Sequence, residues 1–275
     1  MLKKNVVLLV ALCAIIPFAQ NTFAQGDLNL DMEQYYAPPE NAAQNLNDAV
    51  DPLLDMFGFL AGSGLYNTAD VHGILGFDAG IKVAAMRVGD NQLPFMPELP
   101  KDLQNGPLGE ENIIGLPMLH VGVGVLPNLE LMGRFFTYPM GDPNSAEGNV
   151  TLIGVGAKYG LLQSILLPKI AVVGAYHYLT VPDEFDFGSV NSVSGALVVS
   201  KGFPIVTLYG SAGVDYTTLQ INLPDPLPDP DAYTKTNFRG NVGLRMTIFP
   251  LVFLNVDYNF GAVQGLSAGL GLSIR

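Results

Sequence analysis

The sequence predicts an all-β fold, an antiparallel up-and-down transmembrane β-barrel of about ten strands with a short N-terminal helix. Two observations carry this. First, stretches of about ten residues alternate apolar with small or polar side chains: in 237–247, Phe238, Gly240, Val242, Leu244 and Met246 share one face, while Asn237, Arg239, Asn241, Gly243, Arg245 and Thr247 share the other. Successive strand side chains point to opposite faces, so such a strand has an oily side and a wet side. Second, the connections alternate between short and long. A bilayer admits only helices or closed barrels, because every backbone amide must be paired internally. Past the first 24 residues no apolar run reaches the roughly 18 residues a spanning helix needs.

The chain opens with Lys3 and Lys4, runs apolar from Val6 to Phe18 and reaches Thr22, Phe23 and Ala24. This is the pattern of a secretory signal peptide over 1–24, cleaved before Gln25. Cys13 is the only cysteine, and Leu12 before it argues against lipidation. Cleavage leaves no thiol for a disulfide or metal site. With Lys3 and Lys4 removed from the 13 basic residues, 11 face 25 acidic ones, a net charge of −14. That balance speaks against nucleic acid as a partner. Hydrophobic residues make up 49% and charged residues 14%. A barrel reconciles these figures with the lack of spanning helices, since its lipid face needs apolar residues only at alternate positions.

Residues 25–61 read as a flexible periplasmic segment with a short helix, and 62–275 as the barrel. Asp51 and Pro52 resemble an N-cap and first helical position. Leu53, Leu54, Met56, Phe57 and Leu60 then give an apolar surface, placed on or in the barrel mouth. Strands are expected at about 73–87, 117–126, 128–138, 149–160, 168–179, 191–201, 205–217, 236–249, 251–261 and 265–275. Short turns at Pro127, Lys201–Pro204 and Pro250, with a longer one over 160–168, suit periplasmic ends. Longer loops at 88–116, 139–148, 180–190 and 218–235 suit extracellular ones. An even strand count then puts both termini in the periplasm of a Gram-negative cell. In the last strand Leu266, Ala268, Leu270, Leu272 and Ile274 alternate with Ser267, Gly269, Gly271 and Ser273. It looks like the C-terminal assembly strand read by the barrel-assembly machinery, although those strands usually end in an aromatic residue where Arg275 stands.

The segment Gly62–Arg87, GSGLYNTADVHGILGFDAGIKVAAMR, resembles the start of an uncharacterised, domain-of-unknown-function family of Gram-negative outer-membrane barrels. The resemblance implies a barrel in the outer membrane, with lipid and lipopolysaccharide as surroundings, and adds no activity.

Alternation places Asp78, Glu130, Asp215 and Asp257 in the lumen with Lys82, Arg134, Lys158, Arg239 and Arg245. Isolated buried ions are costly, so these are expected to form an ion-pair network; a narrow polar permeation path is the functional alternative. Ser267, Gly269, Gly271 and Ser273, with Ala171, Val173 and Ala175, leave interior space. The N-terminal segment would fill it as a plug through Leu53, Leu54, Met56 and Phe57; the alternative filler is a small apolar ligand, as in fatty-acid-transporting barrels. Phe135, Tyr138, Tyr176, Tyr178, Tyr216, Tyr258 and Phe260 are candidate girdle residues.

No catalytic residue, metal site or cofactor is assigned. A rim lipid hydrolase would need His177 to pair with Ser192 or Ser194, oriented by Asp183, Glu184 or Asp186, but no G-x-S-x-G elbow surrounds either serine. His120 reads as a lumen residue with a satisfied ring, and His72 carries no signal. The acidic loops (Asp90, Glu98, Asp102, Glu110 and Glu111; Asp225, Asp229 and Asp231) suit loose Mg²⁺ or Ca²⁺ bridging to lipopolysaccharide rather than a built site. A soluble barrel or sandwich, with the apolar faces as its core, is the structural alternative.

Overall fold

A computed structural model describes residues 42–87, 113–139, 149–180, 189–220, 232–249 and 251–274. The signal-peptide reading over 1–24 and the acidic long loops lie outside these residues. Helix α1 spans Ala42–Gly62. Ten strands follow: β1 Phe77–Arg87, β2 Ile113–Leu126, β3 Leu129–Pro139, β4 Asn149–Leu162, β5 Lys169–Thr180, β6 Ser189–Gly202, β7 Val206–Gln220, β8 Tyr233–Phe249, β9 Val252–Gly261 and β10 Gly265–Ile274. Each pairs antiparallel with its sequence neighbours, and β1 pairs with β10 to close the barrel. Closure leaves no free strand edge, the condition for a sheet in hydrocarbon.

The two faces follow the alternation. On β8, Phe238, Val242 and Leu244 are exposed while Arg239, Asn241 and Arg245 are buried. Leu119, Leu131, Ile153, Val193 and Leu266 extend the apolar exterior onto other strands. A soluble sandwich would cover these faces with a second sheet; here they form the outer surface of a single closed one. Phe135, Tyr176, Tyr178, Tyr216, Tyr258 and Phe260 all point outward, in the half of the barrel nearer the long connections. Tyr138 lies outside the described side chains. At the opposite rim stand Tyr159, Phe203 and Phe249, which the girdle reading did not name. Amphipathic rings favour such interfacial depths.

Two expectations at the N-terminal end are corrected. The helix begins nine residues before Asp51, with Pro52 inside it rather than at its start. Proline removes one amide donor, and the apolar contacts of the following turns outweigh that loss. The second correction concerns placement, because α1 is not on the side of the barrel where β10 ends. Its buried residues Val50, Leu54, Phe57 and Leu60 pack with Met86, Met118, Leu152, Val190, Leu219 and Tyr233. Those wall residues sit at the strand ends that adjoin the long connections. The even strand count does put the start of β1 and the end of β10 on one side. It says nothing of residues 63–76, which carry the chain back through the lumen.

The first strand accordingly begins at Phe77, not near 73, because residues 73–76 form a turn. Leu75 adopts φ 64°; Gly76 N donates to Gly73 O at 2.8 Å and Leu75 N to Gly124 O at 2.9 Å. Gly124 is needed here, since a Cβ on it would run into the carbonyl oxygens of Gly73 and His72.

Candidate functional site: a threaded lumen

Between α1 and β1 the chain descends the barrel, bonded to the wall at successive levels. Near the long-connection end, Lys235 Nζ lies 2.9 Å from Asp51 Oδ2 and 3.0 Å from Asp55 Oδ2, and Asn237 donates to Asp55 Oδ1 at 2.7 Å. Below them, Arg134 donates to the carbonyls of Ala61 and Ser63, the latter at 2.6 Å. Ala61 lies in the last turn of α1 and Ser63 just past its end, where helical acceptors lack partners and a cation is favoured. Tyr66 and Ser211 share a 2.5 Å hydroxyl contact, and Arg245 donates to Asn67 Oδ1 at 2.7 Å. Ser200 Oγ meets Thr68 Oγ1 at 3.2 Å and accepts from Ala69 N at 3.0 Å. Gln163 brackets the next stretch, donating to Ala69 O at 2.9 Å and accepting from Val71 N at 3.2 Å. Asp70 pairs with Lys169. His72 ends the descent, with Nδ1 2.7 Å from Glu130 Oε2 and Nε2 3.2 Å from Ser273 Oγ.

The lumen therefore has two parts. The upper part holds an apolar cluster, filled by α1 against the strand ends, with polar contacts on its β7 and β8 side. In the lower part Leu65, Tyr66 and Ala69 pack on Met132, Ala171, Val173, Ala175 and Val198, and Gly64 faces Ser267. The small residues of β5 and β10 thus adjoin the descending segment.

The nine charged residues placed in the lumen are all buried, with differing partners. Glu130 is 2.9 Å from Lys158 as well as bonded to His72. Asp215 receives Arg239 through Nε at 2.6 Å and Nη2 at 3.0 Å, a two-pronged geometry that fixes orientation. Asp78 lies 3.6 Å from Arg245, whose guanidinium also covers the Phe253 ring at 4.0 Å. Asp257 is held by Tyr209 at 2.7 Å, Ser267 at 2.5 Å and Asn259 at 2.7 Å. Lys82 Nζ has no hydrogen-bond partner among the described residues. Arg134, read as part of the network, spends its donors on helix-end carbonyls.

Of the plug residues, Leu54 and Phe57 are buried in the upper cluster, and Leu53 and Met56 pack partly against it. Sequence reasoning missed the segment below them. His72, which carried no signal, is fully enclosed and bonded at both ring nitrogens. The one available hint was the row of polar residues Asn67, Thr68, Asp70 and His72 directly before a strand. His120 faces the lumen 3.8 Å from Asp78, but its Nδ1 has no hydrogen-bond partner among the described residues, so its ring is not satisfied by them.

Among the described residues the His-Ser pair of the hydrolase reading is not hydrogen-bonded. His177 and Ser192 are cross-strand partners, yet both are buried and neither His177 nitrogen has a hydrogen-bond partner among the described residues. Ser192 accepts from Thr217 at 3.4 Å instead. Asp183, Glu184 and Asp186 lie outside the described residues. Among the described residues no group of three His, Cys, Asp or Glu side chains is placed to hold a metal ion.

No curated protein matches the chain. The translocator domain of the autotransporter NalP from Neisseria meningitidis is similar at 13% identity and TM-score 0.39, over 91% of this chain and 100% of that one. The N-terminal β-barrel domain of OprF from Pseudomonas aeruginosa is similar at 16% identity and TM-score 0.33, over 54% and 98%. A loop-deletion mutant of OmpT, an outer membrane protein of Vibrio cholerae, is similar at 13% identity and TM-score 0.30, over 58% and 53%. The architecture, with its apolar exterior and closed sheet, is that of an outer-membrane barrel. A family model matches residues 2–107 and 97–274, and the chain belongs to that family, described as a family of unknown function, DUF6588.

Proposed function

We propose that this protein is a non-catalytic outer-membrane barrel held shut by its own N-terminal segment, with a narrow transport role realised when that segment moves. The observation that carries the reading is the ladder of contacts from Asp51 to His72, which ties one continuous segment to the wall from one end of the lumen to the other. A barrel of this size has an interior close to the volume of its own side chains, so an added helix and the segment descending from it leave little for solute. The long connections face the exterior, where lipopolysaccharide and divalent cations surround them, and the end of β10 faces the periplasm, where the barrel-assembly machinery reads it.

A second reading, a carrier of small apolar molecules, is favoured by one specific feature. The upper lumen is lined by Met86, Met118, Leu152, Val190 and Leu219, and α1 covers them. Withdrawal of α1 would expose an apolar chamber to ligand.

The test is planar-bilayer conductance of the refolded mature protein and of a version lacking residues 25–72, which leaves the 73–76 turn intact. The reading expects the full chain to be silent and the shortened one to conduct. Equal conductance in both would overturn it, as would silence of a shortened barrel that folds and inserts.

A further inference from the structure

We infer that the chain enters this barrel from the outer face, so that the N-terminal end of α1 lies at the cell surface rather than in the periplasm. The barrel would then serve as a carrier that displays its own N-terminal segment. The inference rests on the orientation given under Proposed function, long connections outward.

Direction along the lumen is fixed by contacts made at known heights. Asp51 meets Lys235, the third residue of β8 counted from the long 221–232 connection. Tyr66 meets Ser211, midway along β7. Thr68 meets Ser200, near the short turn after β6. Leu75 and Gly76 lie beside Gly124, at the β2–β3 turn. The order is monotonic, so the N-terminal part of α1 points toward the long connections and Gly76 toward the short turns. Reversal would separate three sets of complementary groups at once: the Asp51 and Asp55 carboxylates from Lys235, the α1 terminal carbonyls from Arg134, and His72 from Glu130. Each is a charge-assisted bond, stronger than its neutral counterpart, and two of them are enclosed.

The same threading explains why the helix is amphipathic but not membrane-spanning. Among the described residues no helix is long and apolar enough to cross a membrane; α1 instead lies inside the barrel with apolar residues against the wall and Asp51 and Asp55 at the rim. What it fills is the upper part of a protein lumen.

The experiment uses the full chain, whose single natural cysteine, Cys13, lies in the segment read as a signal peptide. Three variants, Asn29→Cys, Ser145→Cys in the β3–β4 connection and Ser164→Cys in the β4–β5 turn, are labelled in intact cells with a membrane-impermeant maleimide-polyethylene glycol. Folding is checked by heat-modifiable gel mobility. The inference expects the gel shift of Asn29→Cys to match that of Ser145→Cys in intact cells, with Ser164→Cys shifting only after the outer membrane is opened. A shift of Asn29→Cys that tracks Ser164→Cys overturns it. Labelling of Ser164→Cys but not Ser145→Cys in intact cells would instead show the barrel inverted, which overturns the orientation on which both readings stand. A second measurement needs no substitution: chymotrypsin added to intact cells should cut at Tyr35 or Tyr36, shown by N-terminal sequencing of the remaining barrel. An uncut N-terminus that becomes cleavable only after permeabilisation overturns the inference.

Discussion

Replacing Asp215 by alanine tests the part of the site where geometry and burial are most sharply defined. Arg239 places Nε 2.6 Å and Nη2 3.0 Å from the two carboxylate oxygens, and both side chains are almost wholly enclosed. Removing one member of a buried pair leaves the other charge desolvated without an acceptor, a loss of about 3–5 kcal/mol. Asp215→Asn keeps an acceptor of the same shape and should fall at the low end of that range. The double variant Asp215→Leu/Arg239→Met removes both charges and should cost less than Asp215→Ala alone. Unfolding in urea from lipid vesicles, followed by circular dichroism because the chain has no tryptophan, gives the free energies. If Asp215→Ala stays within about 1 kcal/mol of the parent, the size of an exposed ion pair, the lumen is wetter than these contacts imply and the argument fails.

Other consequences can be checked in the same way. Leu54→Ala should weaken docking of α1 by about 2–5 kcal/mol, the range for a buried leucine leaving a cavity, and should raise the frequency of openings in planar bilayers. Lys82→Met removes a buried ammonium with no hydrogen-bond partner among the described residues; the change should be neutral or stabilising in urea unfolding, because an uncompensated buried charge is costly, whereas a clear loss would reveal an acceptor. Gly124→Ala sets a methyl against the carbonyls of Gly73 and His72, backbone atoms held by the barrel turn; we expect a cost of about 1–3 kcal/mol and loss of the heat-modifiable folded band at moderate temperature.

Strand positions were legible because each strand carries its own signal. In β10, Leu266 to Ile274 alternate without a break, and the strand is found at Gly265–Ile274. In β2 the run begins at Ile113, earlier than expected, since Pro117 interrupts the pattern that its neighbours continue. The lumen charges were legible for the same reason, by parity along strands. Their partners were not. His72 meets Glu130 across 58 positions and Ser273 across 201, and no local periodicity encodes such a distance. The direction of α1 was hidden for a related reason: the Asp51-Pro52 signal describes a helix start within one turn, while placement depends on Lys235 and on apolar side chains from most of the strands.

The central claim, that α1 resides inside the lumen, is tested most directly by a cross-link. A Cβ built on Gly58 lies 3.9 Å from Thr217 Cβ on β7, within the roughly 3.5–4.5 Å that a disulfide spans. In the variant Gly58→Cys/Thr217→Cys, expressed in an oxidising envelope, the account predicts that a disulfide closes spontaneously in the folded barrel, leaving no free thiol. Two thiols that remain titratable in a folded, membrane-inserted barrel would contradict it.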